Sequence, residues 1–301
     1  MSVTPLRASC LCGSVRWEVD GPLADLAPGS ADRSLEALLF FSHCHCGRCR
    51  KAHGAAYASY LVVPAERFRL VTGLEAIAIY RAAPGSTRPF CSLCGSVVPD
   101  GVASGGRVGM PAGCFDDTLG VRPTAHIFVA SKAPWHEIHD ALPRSDAYPP
   151  GIAAPFSDRV PLDPPEVGVR GSCLCGGVSY AVTVPPLRSR TCHCSRCRKA
   201  GSAANVSYLV VPLDGLEFLR GPELVRRFKV PGARYFEHAF CATCGSSLPR
   251  ASRERGIHVV PMGTLDDDPG VRPEAHIFVA SKADWDEIAD PLPRHDEYPP
   301  G

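Results

Sequence analysis

The chain has 301 residues, 45% hydrophobic and 21% charged. That is room for about two cored domains, and it excludes wholesale disorder, which needs low hydrophobicity and high net charge. Thirty-two basic residues against 31 acidic leave +1, so nothing asks for a polyanionic partner and nucleic-acid binding is disfavoured. Fifteen cysteines, an odd number, are the unusual feature.

Met1 to Leu11 holds no signal-like apolar run, and no stretch approaches the ~18 apolar residues that cross a bilayer. The expectation is a cytoplasmic protein with no membrane partner, where clustered cysteines mean metal or catalysis rather than disulfides. The first motif, SCLCGSV at 9–15, runs into Val15–Val19, whose period-two alternation predicts a strand. An insert around Asp25–Phe41 contains ADRSLEALLFF. It predicts a short helix begun near Asp32 and Ser34 and packed through Leu35, Leu38 and Leu39. CHCGRCRKA (44–52) follows, with a short helix expected after it. Tyr57–Val63, Glu75–Arg81 and Ala125–Ala130 are rich in β-formers and predict strands, FCSLCGS stands at 90–96, and Ala133–Ile138 predicts a helical turn.

The chain is then written again. Residues 121–151 and 271–301 differ at seven of 31 positions, leaving 24 identical. SCLCGGV (172–178), CHCSRCRKA (192–200) and FCATCGS (240–246) repeat the earlier motifs, and SYLVVP recurs at 59–64 and 207–212. Val178–Val182 and Ala283–Ile288 repeat the predicted strand and turn. The second copy lacks the insert of some 15 residues. Between the copies, GIAAPFSDRVPLDPPEV (151–167), with four prolines and no periodicity, predicts an extended linker. The expectation is two tandem, mainly β domains with short helices, 1–150 and 168–301, able to pack about a pseudo-twofold axis.

Each copy carries seven cysteines in the pattern CxC…CxCxxC…CxxC. Pairing Cys10 and Cys12 with Cys91 and Cys94, and Cys173 and Cys175 with Cys241 and Cys244, makes one four-thiolate site per copy, the ligand set of a structural zinc. Cys44, Cys46 and Cys49 remain, as do Cys192, Cys194 and Cys197. Three ligands with an open fourth position is the general pattern of a catalytic zinc. A histidine closing the site is the alternative, with His45 and His193, or His126 and His276, as candidates at matching positions; both readings stay open at this stage. An open three-thiolate zinc is a poor Lewis acid. It suits holding a small thiol for attack on an electrophilic carbon. Arg48, Arg50, Lys51, Arg196, Arg198 and Lys199 flank the sites and can clamp its carboxylates. Cys114 aligns with Thr264 and reads as a small buried hydrophobe.

The combination CxCG…CHCxxCRK…FCxxCG…HIFVASKAxW resembles the GFA domain, named for the glutathione-dependent formaldehyde-activating enzyme and shared with centromere protein V. The likeness covers both copies, leaving out the linker and the insert. It implies zinc-bearing β-tent domains with two zinc ions each, four per chain. It also implies a structural zinc on Cys10, Cys12, Cys91 and Cys94, and a three-cysteine zinc on Cys44, Cys46 and Cys49. In the second copy the matching sets are Cys173, Cys175, Cys241 and Cys244, then Cys192, Cys194 and Cys197. The implied activity is a carbon–sulfur lyase or synthase reaction, in which glutathione held at the open zinc adds to formaldehyde as S-hydroxymethylglutathione. Where family members often carry a Gly-Ser-Pro-Phe-like stretch, this chain reads His53-Gly54-Ala55-Ala56-Tyr57 and Gly201-Ser202-Ala203-Ala204-Asn205. Substrate choice is therefore expected to differ from the namesake's or between the copies. The competing expectation is a non-catalytic zinc module that binds a protein or other macromolecule. Methionine sulfoxide reduction lacks a matching cysteine outside the zinc sets in both copies, and neither GxSxG nor HExxH occurs.

Overall fold

A computed structural model describes residues 4–29, 32, 34–83, 86–99, 101, 105–148 and 168–299. The linker expected over 151–167 lies outside them. In the first repeat Leu6–Ser9, Arg16–Val19 and Phe68–Thr72 form a three-stranded antiparallel sheet. Trp17 and Val19, the inward half of the predicted alternation, are fully buried. A larger sheet runs in the order Arg144–Ser145, Ala125–Ile127, Phe41–Cys44, Ala58–Pro64, Arg107–Pro111. The hairpin Ile77–Ala83 and Ser86–Cys91 stands beside it. The second repeat reproduces this plan. Val169–Ser172, Ser179–Val182 and Leu216–Arg220 make its small sheet, and Arg188–Cys192 lies between Val206–Pro212 and His276–Ile277 in the large one.

Three α-helices are described: α1 (Leu35–Phe40), α2 (Gly47–His53) and α3 (Ser195–Gly201). Ser34 caps α1 by accepting the Ala37 N–H. The helix buries Ala37 and Phe40; of the expected Leu35, Leu38 and Leu39, Leu39 packs on the cluster around Cys44, Cys46 and Cys49, while Leu35 and Leu38 stay only half-buried. Ala133–Ile138 and Ala283–Ile288 do not become helices; each makes one turn, closed by His136 N–H to Ala133 O at 3.1 Å and Asp286 N–H to Ala283 O at 3.2 Å. The strand expected over Ala125–Ala130 stops at Ile127, because Phe128 takes a left-handed backbone (φ 59), as does Phe278 (φ 58). That conformation costs a bulky residue ~1–3 kcal/mol, and its presence in both copies puts each ring against a cysteine triad.

The repeats are not separate bodies. Trp285 of the second lies in the first repeat's core, 5.1 Å edge-on to Phe41, and Trp135 of the first lies in the second repeat's core. Lys51 of α2 is buried against Asp266 and donates to Ser172 O at 2.9 Å; Lys199 of α3 pairs with Asp116 and Ser9 in the mirrored arrangement. His53 Nδ1 donates to Gly201 O at 2.7 Å, and His238 Nδ1 to Cys94 O at 2.7 Å. The backbones meet so closely that a Cβ on Gly113 would strike the Ala203 backbone, and one on Gly263 the Ala55 backbone. Since main chain cannot yield as a side-chain tip can, we expect Gly113→Ala and Gly263→Ala each to destabilise the protein by about 3 kcal/mol. Urea unfolding measures this, and unchanged midpoints would refute the close approach.

Candidate metal centres

The four-cysteine sets assemble where the small sheet meets the hairpin. Cys10 and Cys12 leave the first strand at a turn closed by Gly13 N–H to Cys10 O, and Cys91 and Cys94 sit on a turn closed by Gly95 N–H to Cys91 O. The sulfurs of each set lie within 4.8 Å of one another. Cys10–Cys12 and Cys12–Cys91 are 3.4 and 3.7 Å apart; Cys173–Cys175 and Cys175–Cys241 are 3.3 and 3.8 Å apart. Tetrahedral zinc with Zn–S bonds near 2.3 Å requires sulfurs about 3.8 Å apart, so these donors fit the ion. Backbone N–H groups steady the sulfurs, Val15 on Cys10 at 3.3 Å and Val178 on Cys173 at 3.2 Å. Ser96 and Ser246 stand beside Cys94 and Cys244. None of the fifteen cysteines is in a disulfide.

The triads sit at the N-termini of α2 and α3. Cys46 and Cys194 are N-caps, each accepting the N–H of the third cysteine, Cys49 or Cys197, at 3.4 Å. Among the described residues no histidine nitrogen joins either triad. The candidate histidines are joined to one another instead. His45 Nε2 faces His126 Nδ1 at 2.8 Å, and His126 Nε2 faces both Asp140 oxygens at 3.0 Å. In the second copy His193, His276 and Asp290 repeat the chain at 2.8 and 2.9–3.0 Å.

Here the copies diverge. His193 Nδ1 also meets Asp286 Oδ2 at 3.0 Å, while His136 holds the matching position in the first repeat and stacks on His45, 5.6 Å between rings. His45 Nδ1 is left without a partner. Hydrogen-bond counting explains the difference. If Asp290 accepts from His276 and His276 accepts from His193, the remaining His193 nitrogen can bond Asp286 only with one more proton in the chain. Burial opposes the Asp286 charge, but the hydrogen bond and charge of His193 outweigh it and hold that carboxyl below the usual range. Burial and then the imidazoles of His136 and His126 push His45 well down, toward the neutral ring that an unpartnered nitrogen requires. His126, His136, His193, His276 and Asp286 all line a cavity of about 310 Å³ where the repeats meet.

Of the flanking cations, Lys51 and Lys199 are committed to the contact between repeats, and Arg198 donates to Gly113 O at 3.4 Å. Arg196 instead lines a cavity of about 430 Å³ over the second triad, with Arg188, Arg190, Arg234, Arg250 and Arg255. Arg188 and Arg190 lie on the strand that runs into Cys192, and Arg234, Arg250 and Arg255 lie outside the cysteine motifs, so spacing alone does not draw them to the triad. The acids completing the histidine chains, Asp140 and Asp290, fall in the repeated tail, where no ligand-like spacing marks them. Cys114 is buried, its thiol pushed up to about 12 by burial, and sits 3.7 Å from Val97 O. Among the described residues no helix is long and apolar enough to cross a membrane.

Fold and site define a mainly β protein built twice, each copy bringing together a four-cysteine and a three-cysteine set that can hold metal ions. Residues 5–131 and 168–281 match the family described as "Glutathione-dependent formaldehyde-activating enzyme", more than half of the chain, and the protein belongs to this GFA family, with two GFA domains. A Halomonas elongata protein named "Putative glutathione-dependent formaldehyde-activating enzyme" is 31% identical over 131 residues, 40% of this chain and 80% of its own length. A solved Rhodobacter sphaeroides protein is 29% identical, covering 35% of this chain and 97% of its own, with a TM-score of 0.28.

Two outcomes are expected. Cys94→Ser and Cys244→Ser should each lose one bound metal and unfold the protein, since binding energy here is folding energy and each core is completed by a tryptophan of the other repeat; metal content and far-ultraviolet circular dichroism read both. Asp286→Ala should cost about 3 kcal/mol because it strands a buried, charged hydrogen-bond chain, against about 1 kcal/mol for His136→Ala. Equal losses on urea unfolding would contradict the chain described.

Proposed function

We propose that this is a cytoplasmic, zinc-dependent enzyme of carbon–sulfur chemistry. In this reading it holds four zinc ions, two on the four-cysteine sets and two on the triads Cys44, Cys46, Cys49 and Cys192, Cys194, Cys197. It joins a small anionic thiol such as glutathione to a small aldehyde such as formaldehyde. The observation that carries this reading is the arginine-lined cavity opening onto a cysteine triad with no histidine in its fourth place.

Zinc, when bound there, holds a thiol in its nucleophilic thiolate form at neutral pH. The chain's own groups do the rest. Arg234, which donates to Glu254 at 3.3 Å, lies over the Tyr235 ring at 4.7 Å, and Arg255 lies over the same ring at 5.5 Å, setting two guanidinium planes at the cavity wall where a carboxylate can be received. Tyr208, which burial keeps as a neutral phenol, is the donor this wall offers to an aldehyde oxygen. The thiolate sulfur bonds to the carbonyl carbon, the C=O π pair moves to oxygen, and the proton lost by the thiol ends on that oxygen. The product is a hemithioacetal, and the reverse step is the lyase reaction.

Zinc-loaded protein should bind glutathione and speed its exchange with formaldehyde, measured by NMR exchange spectroscopy above the spontaneous rate. Cys197→Ser should abolish the acceleration. Protein that retains four zinc ions yet neither binds glutathione nor speeds the exchange would remove this reading and leave a non-catalytic binding module.

A further inference from the structure

The triads share a backbone and differ in what covers them. In the first repeat the cysteines are 6%, 2% and 4% exposed, and Leu39 of α1, Phe128, Tyr60 and Tyr148 pack on them. Arg88, on the hairpin strand Ser86–Cys91, reaches the same sulfurs with Nη2 3.8 Å from Cys49 Sγ. Three thiolates on a divalent ion carry a net charge of −1, and a buried charge must be matched close by. A guanidinium stays charged in any protein environment, so Arg88 supplies the matching +1 from inside the chain.

The second repeat keeps the aromatic part of that cover, with Tyr208, Phe278 and Tyr298 lining the cavity over its triad, and lacks the arginine and the helix. His238 takes the place of Arg88, and its ring is spent on Cys94 O at 2.7 Å and Ser247 Oγ at 3.0 Å. There is no insert helix: Leu187, where Leu39 stands in the first repeat, is 56% exposed, and Arg190, where Ser42 stands, lines the cavity. Cys194 and Cys197 are half-buried rather than buried.

We propose that Arg88 and helix α1 close the first triad into a charge-balanced structural site, and that the second triad alone exchanges an external ligand. This rests on the metal occupancy proposed above and not on the reaction. The insert, on this view, is the device that converted one of two like sites from exchange to support.

The test uses the full chain loaded with Co(II), whose thiolate absorption bands report the fourth ligand, titrated with 2-mercaptoethanol. The spectral change should saturate at one thiol per chain, vanish in Cys197→Ser and persist in Cys49→Ser. Arg88→His should add a second thiol per chain. Two thiols in the unmodified protein, a response surviving Cys197→Ser, or no response at either site overturns the proposal. Should a cysteine variant fail to fold, N-ethylmaleimide labelling of the unmodified zinc protein decides. Cys194 and Cys197 should react at least tenfold faster than Cys44, Cys46 and Cys49, and equal rates overturn it. Protein that binds one thiol yet leaves the exchange reaction unaccelerated would remove the proposed reaction and keep this assignment.

Discussion

The approach of α2 and α3 to the opposite repeat is the constraint on which the rest depends. Each helix carries the third cysteine of its triad on one side and a lysine committed to the other repeat on another, Lys51 to Asp266 and Lys199 to Asp116. The Ser96 hydroxyl beside the four-cysteine set donates to Lys199 O at 2.8 Å, and its own oxygen accepts the Leu11 N–H at 3.0 Å. A four-cysteine site, an interface helix and a triad are thus joined by a few hydrogen bonds. Exchange of Trp135 and Trp285 completes each core with a residue of the other copy. Metal sites and interface are therefore one cooperative system, in which loosening the contact would also shift the triads.

Much of this was legible because its signals are local. Glycine after each cysteine pair marks a turn that gathers two sulfurs, and the period of two in Arg16–Val19 marks a strand with one buried face. The triad's lack of a histidine was not legible. His45 and His193 sit between ligands in sequence, and only the parallel pairing of Phe41–Cys44 with Ala125–Ile127 directs those rings toward His126 and His276. Leu35 and Leu38 misled for a related reason. Short helices take their buried face from what they land on, and α1 lands on a sheet that receives Ala37 and Phe40. The tail turn at Ala133 satisfied a helical pattern for one turn, but its role is to deliver Trp135 across the interface, which no pattern within one copy encodes.

Duplication explains how such different sites arose on one scaffold. In a symmetric pair both triads would need to stay open or both to close. Two linked copies lift that requirement, because a substitution in one leaves the other unchanged. The differences fall where this predicts, around the triads and the central cavity rather than in the metal ligands or the interface lysines. Arg88 faces one triad and His238 occupies the matching place at the other; His136 and Asp286 differ across the cavity. Each of these changes alters charge at a buried position, where one unit is worth far more than on the surface. With a divalent ion on each triad as proposed, a buried cation beside one and arginines around an accessible cavity at the other would be two solutions to the same charge of −1. The first fixes the balance permanently within the fold. The second leaves it to be completed by whatever enters.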